Sequence, residues 1–337
     1  MSHLKILSGC SRLALALAIA LPAAASASER GTDAQVGTSS IGPHDQLGRL
    51  SMMTGATRAA VLARVSGEQV YDLAQNYFPG MPSFTEAGDP PFQFWMTHTP
   101  DGAAHDNPFA AGVVANKVVA YSGDAVSMYT HVGTHIDTLN HFGLHGRVWN
   151  GFEASKHLGD RGWDVNGADK IPPIVARGVL LDIAMLKGVD RLPPAYRITA
   201  ADIEAFLTKA EVTLARGDVV LVRTGKGADF RSPEAYKRAP AALDLEAARF
   251  LAGKGAMIIG VDVINPEPLP SGLDDNYLPM HTYLLAEQGV LIIENLDLEE
   301  LARNRVYEFA FVAAPLKIEG ATGSPIRPLA MPLKGRR

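Results

Sequence analysis

The chain has 337 residues, with 31 Lys and Arg against 36 Asp and Glu, a net charge of −5 and a single cysteine, Cys10. That balance argues against nucleic acid or an anionic membrane as a partner, since both recruit cationic surfaces. With 47% apolar residues, 32 Gly and 22 Pro, the composition is that of a turn-rich globular protein large enough to bury a stable core without disulfides.

Lys5 and Arg12 precede an apolar run over residues 13–21, and Ala25-Ser26-Ala27 places small residues where a signal peptidase cuts. Residues 1–27 therefore read as a signal peptide, and a periplasmic or secreted protein is expected. The run is too short to cross a bilayer as a stable helix, and no later apolar stretch reaches about 18 residues, so no membrane partner is expected once the signal is removed. Leu7-Ser8-Gly9-Cys10 has the look of a lipoprotein box, but it lies before the apolar run and reads as coincidence. Cleavage near Ala27 takes away Lys5, Arg12 and Cys10, which moves the net charge to −7 and leaves no thiol chemistry. Residues 28–40 are small and polar and read as a flexible lead-in. No linker or charge run divides residues 41–337, which read as one domain.

Along that domain, helical patterning falls at residues 56–66, 199–215, 244–254 and 297–302, with Thr199 and Asp244 as helix starts. Between and after these lie short β-branched runs: Gly178-Val-Leu-Leu-Asp182, Asp218-Val-Val-Leu-Val-Arg223, Met257-Ile-Ile-Gly-Val-Asp262 and Val290-Leu-Ile-Ile-Glu294. Each reads as a buried strand ending in a polar residue. Strands alternating with helices predict an α/β domain.

Four of the ten histidines fall between residues 131 and 145, in the run His131-Val-Gly-Thr-His135-Ile-Asp137-Thr-Leu-Asn-His141-Phe142. Two imidazoles and a carboxylate suit Zn²⁺ or Mn²⁺ and leave coordination positions open for water and substrate. His131, His135 and Asp137 share parity along a strand, but a straight strand would hold His131 and Asp137 about 20 Å apart. The segment must bend, and Gly133 is the residue that permits it. His141 is placed to act as a neutral acid/base near the metal. Buried histidines are more often hydrogen-bonded core residues than ligands, and His44, His98, His105, His145 and His157 are assigned that role. Ser324 reads as a turn serine or a pocket-lining residue, Glu267 as a loop carboxylate placed to touch substrate, and Phe92, Phe94 and Trp95 as packing residues or an aromatic wall.

The motif His131-x-Gly133-Thr134-His135-x-Asp137-x-x-x-His141 resembles the signature of the cyclase family of metal-dependent hydrolases, the group of kynurenine formamidase-like and isatin hydrolase-like enzymes. The resemblance spans nearly the whole mature chain. It runs from Asp45-Gln-Leu-Gly48, Asp72-Leu and Gly80-Met-Pro82 through Gly217-Asp-Val-Val-Leu-Val-Arg-Thr-Gly225 and Gly260-Val-Asp262 to His281-x-x-Leu-Leu285, Glu294-Asn-Leu296 and Thr322-Gly-Ser-Pro-Ile-Arg-Pro328. It implies a swivelling β/β/α fold, a homodimer or larger homo-oligomer, a small-molecule substrate, and hydrolysis of an acyl C–N or C–O bond with Mn²⁺ or Zn²⁺. By the same resemblance His131, His135 and Asp137 are metal ligands, His141 is the acid/base, and His281 and Glu294 complete the site or hold a second metal. Leu139 stands where formamidases and isatin hydrolase carry proline, and Lys226 where an aromatic residue is common, so the reaction class carries over and the substrate does not. Two other functions compete with the hydrolase: a metal-dependent lyase or dehydratase on the same site, and an exported metal- or ligand-binding protein without catalysis.

Overall fold

The computed structural model describes residues 34–334; the expected signal peptide lies outside them. Nine strands form one sheet: β1 (Tyr71–Asp72), β2 (His135–Asp137), β3 (Ile174–Asp182), β4 (Val219–Arg223), β5 (Ile258–Val261), β6 (Leu291–Glu294), β7 (Glu308–Ala313), β8 (Gly323–Pro325) and β9 (Leu329–Pro332). Their spatial order is β1-β9-β7-β3-β4-β5-β6-β2-β8. The central strands β3 to β6 run parallel, and every other pairing is antiparallel.

The parallel strands are the four β-branched runs read from the sequence. Val219, Val220, Leu221 and Val222 are all fully buried, as expected for strands covered on both faces. Helices α1 (Gly55–Leu62), α2 (Ala200–Ala210), α3 (Leu245–Gly253) and α4 (Glu299–Arg303) match the predicted helical stretches. Thr199 caps α2 by accepting from Asp202 N, and Asp202 answers by accepting from Thr199 N, a reciprocal capping box. Asp244 accepts from Ala247 N and starts α3. The predicted second helix ends early: Glu211 turns left-handed (φ 54°), and residues 212–215 leave the helix. Strand β7 and the short strands β1, β8 and β9 carry no alternation strong enough to have been read from the sequence. The mixed α/β single-domain fold is as predicted.

Within the segment expected as a flexible lead-in, the described part is hydrogen-bonded to the domain. Gly37 N donates to Ala286 O, Ser39 N to Asn150 Oδ1, and His145 Nε2 bonds Ala34 O. Among the described residues no helix is long and apolar enough to cross a membrane.

Candidate metal centre

The site is built where the parallel part of the sheet meets the antiparallel strand β2. The β6–β2 register sets Glu294 directly opposite His135, and the β2–β8 register sets Gly323 opposite Asp137. Directly opposed residues of an antiparallel pair project to the same face, so His135, Asp137 and Glu294 converge, while Ile136 between them turns into the core and is fully buried. Gly323 leaves room for His131: a Cβ there would lie 2.5 Å from His131 Cε1.

The bend required before β2 is present at Gly133, whose φ is +60°. A Cβ at Gly133 would also press within 2.6 Å of the Tyr77 ring. The bend is pinned from several sides. Tyr77 Oη donates to Thr134 O at 2.6 Å, Thr134 Oγ1 donates to Asn295 O at 2.6 Å, and Asn295 Nδ2 donates to Gly133 O at 2.9 Å. His131, some 20 Å from Asp137 on a straight strand, is folded back until its Nδ1 sits 2.7 Å from Asp137 Oδ1, and its Nε2 bonds Thr322 Oγ1 at 2.9 Å.

His135 Nδ1 bonds Gly133 O at 2.9 Å, which directs Nε2 inward, 3.3 Å from Asp137 Oδ1 and 3.5 Å from Glu294 Oε2. His281 ends the helical turn Pro279–His281, directly before a π-helical segment, Thr282–Glu287, an irregularity that recurs at functional sites. Its Nδ1 lies 2.6 Å from Glu267 Oε1, and its Nε2 faces Asp137 Oδ2 at 3.7 Å and Glu294 Oε1 at 3.5 Å. The His141 ring stacks on His131 with centroids 3.9 Å apart. All six residues expected at the site therefore meet in one place.

Two sets have potential ligand atoms within 4.8 Å of one another: His131, Asp137 and His141; and Asp137, His281 and Glu294. Asp137 belongs to both, and His135 reaches across to Asp137 and Glu294. His141, assigned to proton transfer from its position in the sequence, is thus also near enough to serve as a ligand.

The electrostatics favour positive charge. Burial opposes ionisation of Asp137, but His141, His131 and His135 outweigh it and hold the carboxyl well below the usual range. Burial raises Glu294, helped by Asp137 and countered by His281 and His135. Burial alone would depress His281, yet Glu267, Glu294 and Asp137 push it up to about 10. His135 is raised by Asp137 and Glu294 against burial. His141 moves the other way: burial, then the surrounding His131, His281 and His135, push it well below the ordinary histidine value despite Asp137, so its ring is neutral.

A divalent metal fits this set. His135 Nε2 and Asp137 Oδ2 are buried without a hydrogen-bond partner among the described residues, and each such atom is costly unless something binds it. The donors are imidazole nitrogens and carboxylate oxygens, the ligand types of Zn²⁺ and Mn²⁺.

The remaining candidates fall elsewhere. Ser324 lies on strand β8 opposite Ile136 rather than in a turn, and its Oγ bonds Leu316 O and Pro325 O. Phe92 is buried in a secondary cluster with Val132, Phe230 and Tyr236, whereas Phe94 and Trp95 are exposed on an antiparallel pair, Gln93–His98 with Gly123–Ser127. Glu267, expected to touch substrate, accepts from Met280 N, His281 N and the His281 ring, and its role is to hold His281. Sequence reasoning gave no role to Tyr77, Asn295 or Thr322. The available signal was Asn295 following Glu294 inside a motif.

The fold and this centre define an enzyme of the metal-dependent hydrolase class. Residues 71–268 match the family described as Putative cyclase, more than half of the chain, and the chain belongs to that cyclase family. In sequence it is similar to the kynurenine formamidase of Bacillus cereus, 28% identical over 233 residues that cover 68% of this chain and 90% of that one. The kynurenine formamidase of Bacillus cytotoxicus is 30% identical over 233 residues with the same coverage. Among solved structures, that of a novel cyclase superposes with a TM-score of 0.76 at 27% identity, covering 86% of this chain and 97% of that one. Isatin hydrolase A from Ralstonia solanacearum shares the fold, with a TM-score of 0.60 at 24% identity over 81% and 95% of the two chains.

Proposed function

We propose that the chain is an exported hydrolase that opens an amide, lactam or lactone bond at the His131, His135, Asp137, His281 and Glu294 centre, with Mn²⁺ or Zn²⁺ as cofactor. The observation that carries this reading is the buried Oδ2 of Asp137, without a hydrogen-bond partner among the described residues, on a residue shared by two ligand triads. The formamidases among the sequence relatives support an acyl C–N bond as the target.

When bound here, a divalent metal supplies Lewis acidity toward the acyl oxygen and brings the pKa of water toward about 7. Asp137, ionised under the influence of three histidines, compensates positive charge at the centre. His135 is oriented by its Nδ1 contact to Gly133 O, so its Nε2 presents a free nitrogen without rearrangement, whereas His131, held by Asp137 and Thr322 through both ring nitrogens, gives up one of those bonds to act as a ligand. His141, neutral and stacked on His131, accepts the proton of the attacking water as the new C–O bond forms. It returns that proton to the departing nitrogen or oxygen as the acyl bond breaks, which leaves a carboxylic acid.

A panel of formamides, lactams and lactones in isotope-labelled water, with added Mn²⁺ or Zn²⁺, tests the reading. One solvent oxygen is expected in the acid product. Turnover without label at the acyl carbon would establish the lyase or dehydratase alternative. A saturated metal site with no turnover of any member would establish the binding protein.

Export is part of this proposal and rests on the sequence of residues 1–27. It predicts a mature N-terminus near residue 28. Homo-oligomerisation is a further part: Phe94, Trp95, Val114 and Val118, exposed by 46, 45, 80 and 80%, offer apolar surface to a second copy.

A further inference from the structure

A cavity of about 400 Å³, within the size range of small-ligand sites, lies outside the metal centre between the helical turn at residues 233–237, the segment 195–197 that leads into a short strand, and the proline-rich loop 264–272. Its walls are largely apolar, from Phe84, Pro240, Ile264 and Leu269. Three nitrogen-bearing side chains break that surface: Arg197, Lys237 and Asn265.

Arg197 has no carboxylate partner among the described residues. Lys237 donates to Ser83 O at 3.3 Å and pairs with the exposed Glu86 and Glu234 carboxylates at 3.2 and 4.0 Å, so its charge is already matched and Arg197 is the free cation of the wall among the described residues. Asn265 is 7% exposed. Its Oδ1 accepts from Glu267 N at 2.9 Å, while its amide nitrogen has no partner among the described residues. An amide nitrogen with no acceptor among the described residues and an exposed guanidinium with no carboxylate partner among them, both on the wall of one cavity, suit an anionic oxygen. The one buried carboxylate on the wall, Glu267, does not oppose this, because its oxygens are taken by Met280 N, His281 N and the His281 ring.

We propose that this cavity is a second binding site, for a small organic carboxylate with an apolar body. The carboxylate is held by Arg197 and the Asn265 amide, and the body lies against Phe84, Ile264 and Leu269. Carboxylates of this kind are what an amide- or lactone-opening enzyme releases, and that identification of the ligand with the enzyme's own product rests on the proposed function. The binding itself does not. Asn265 also contacts the residue that holds His281, so an occupant lies against the back wall of the metal centre.

Calorimetric titration of the metal-stripped full chain with benzoate tests the site without any turnover. Saturable one-site binding is expected, unchanged in Asp137→Asn and weakened at least tenfold both in Arg197→Ala and for the neutral probe benzamide. Leu269→Trp, which fills the cavity from an exposed position, is expected to abolish it. The proposal fails if metal-stripped wild type shows no saturable binding, or if binding survives Arg197→Ala and Leu269→Trp but is lost in Asp137→Asn, which would put benzoate at the metal centre. Failure of the hydrolase assay with this binding intact would overturn the proposed function alone.

Discussion

Two buried charged clusters sit at the ends of the parallel strands, and they are built on opposite principles. At the ends of β3 and β4, Arg223 meets Asp182 at 2.9 Å and grips Glu299 with two nitrogens at 3.0 and 2.8 Å. The Asp182 and Glu299 carboxylates each face the guanidinium, and against burial they raise the pKa of the arginine. At the ends of β6 and β2, Glu294 and Asp137 bring carboxylate oxygens within 4.8 Å of one another with imidazoles around them, and two ligand-capable atoms have no hydrogen-bond partner among the described residues. Burial alone does not distinguish the clusters, since Asp182 and Asp137 are 2 and 1% exposed. What distinguishes them is completeness. A closed ion-pair network is structural, whereas a buried set of carboxylates and imidazoles with unpartnered ligand atoms among the described residues is shaped to receive a cation.

Mutations on the two sides are expected to diverge. The largest effect should come from His141→Ala, with kcat lowered roughly 10²- to 10⁴-fold and metal content retained, as for loss of a general acid/base. Metal lost together with activity would instead make His141 a ligand in the His131 and Asp137 triad. Next, Asp182→Ala removes one partner of a buried guanidinium and should cost about 3 kcal/mol of unfolding free energy, read by urea denaturation, with metal affinity unchanged. The smallest effect is expected from Glu267→Gln. It keeps the shape but replaces the charged acceptor behind His281, and should weaken metal binding roughly 10- to 100-fold, measured by chelator competition, with little change in stability. Unchanged affinity there would reduce Glu267 to a cap on the Pro279–His281 turn.

Legibility in the sequence follows the same division. The parallel strands were readable because full burial demands continuous apolar runs, as in Val219 to Val222, and α2 and α3 because Thr199 and Asp244 carry cap chemistry. The meeting of His131, His135 and Asp137 at the candidate metal centre was readable because a local turn at Gly133 brings together residues already close in the chain. The contributions of His281 and Glu294 came only through the family resemblance, since nothing local ties residue 281 to residue 137. The contact of Glu267 with His281 gave no signal for the same reason: the two residues lie 14 apart along the chain, and no periodicity encodes their meeting. The Arg223 cluster gave no signal, since an Arg and an Asp at strand ends look alike whether they are closed upon each other or open to a ligand.

The most direct measurement is the metal stoichiometry of purified wild type, Asp137→Asn and Asp182→Asn, by elemental analysis after equilibration with Mn²⁺ or Zn²⁺, with thermal unfolding recorded on each. The account predicts that wild type and Asp182→Asn bind metal, the latter with lowered stability, and that Asp137→Asn stays folded but loses it. Full metal content in Asp137→Asn, or its loss in Asp182→Asn at a temperature where that variant remains folded, would contradict the assignment of the cation site to the β6–β2 cluster.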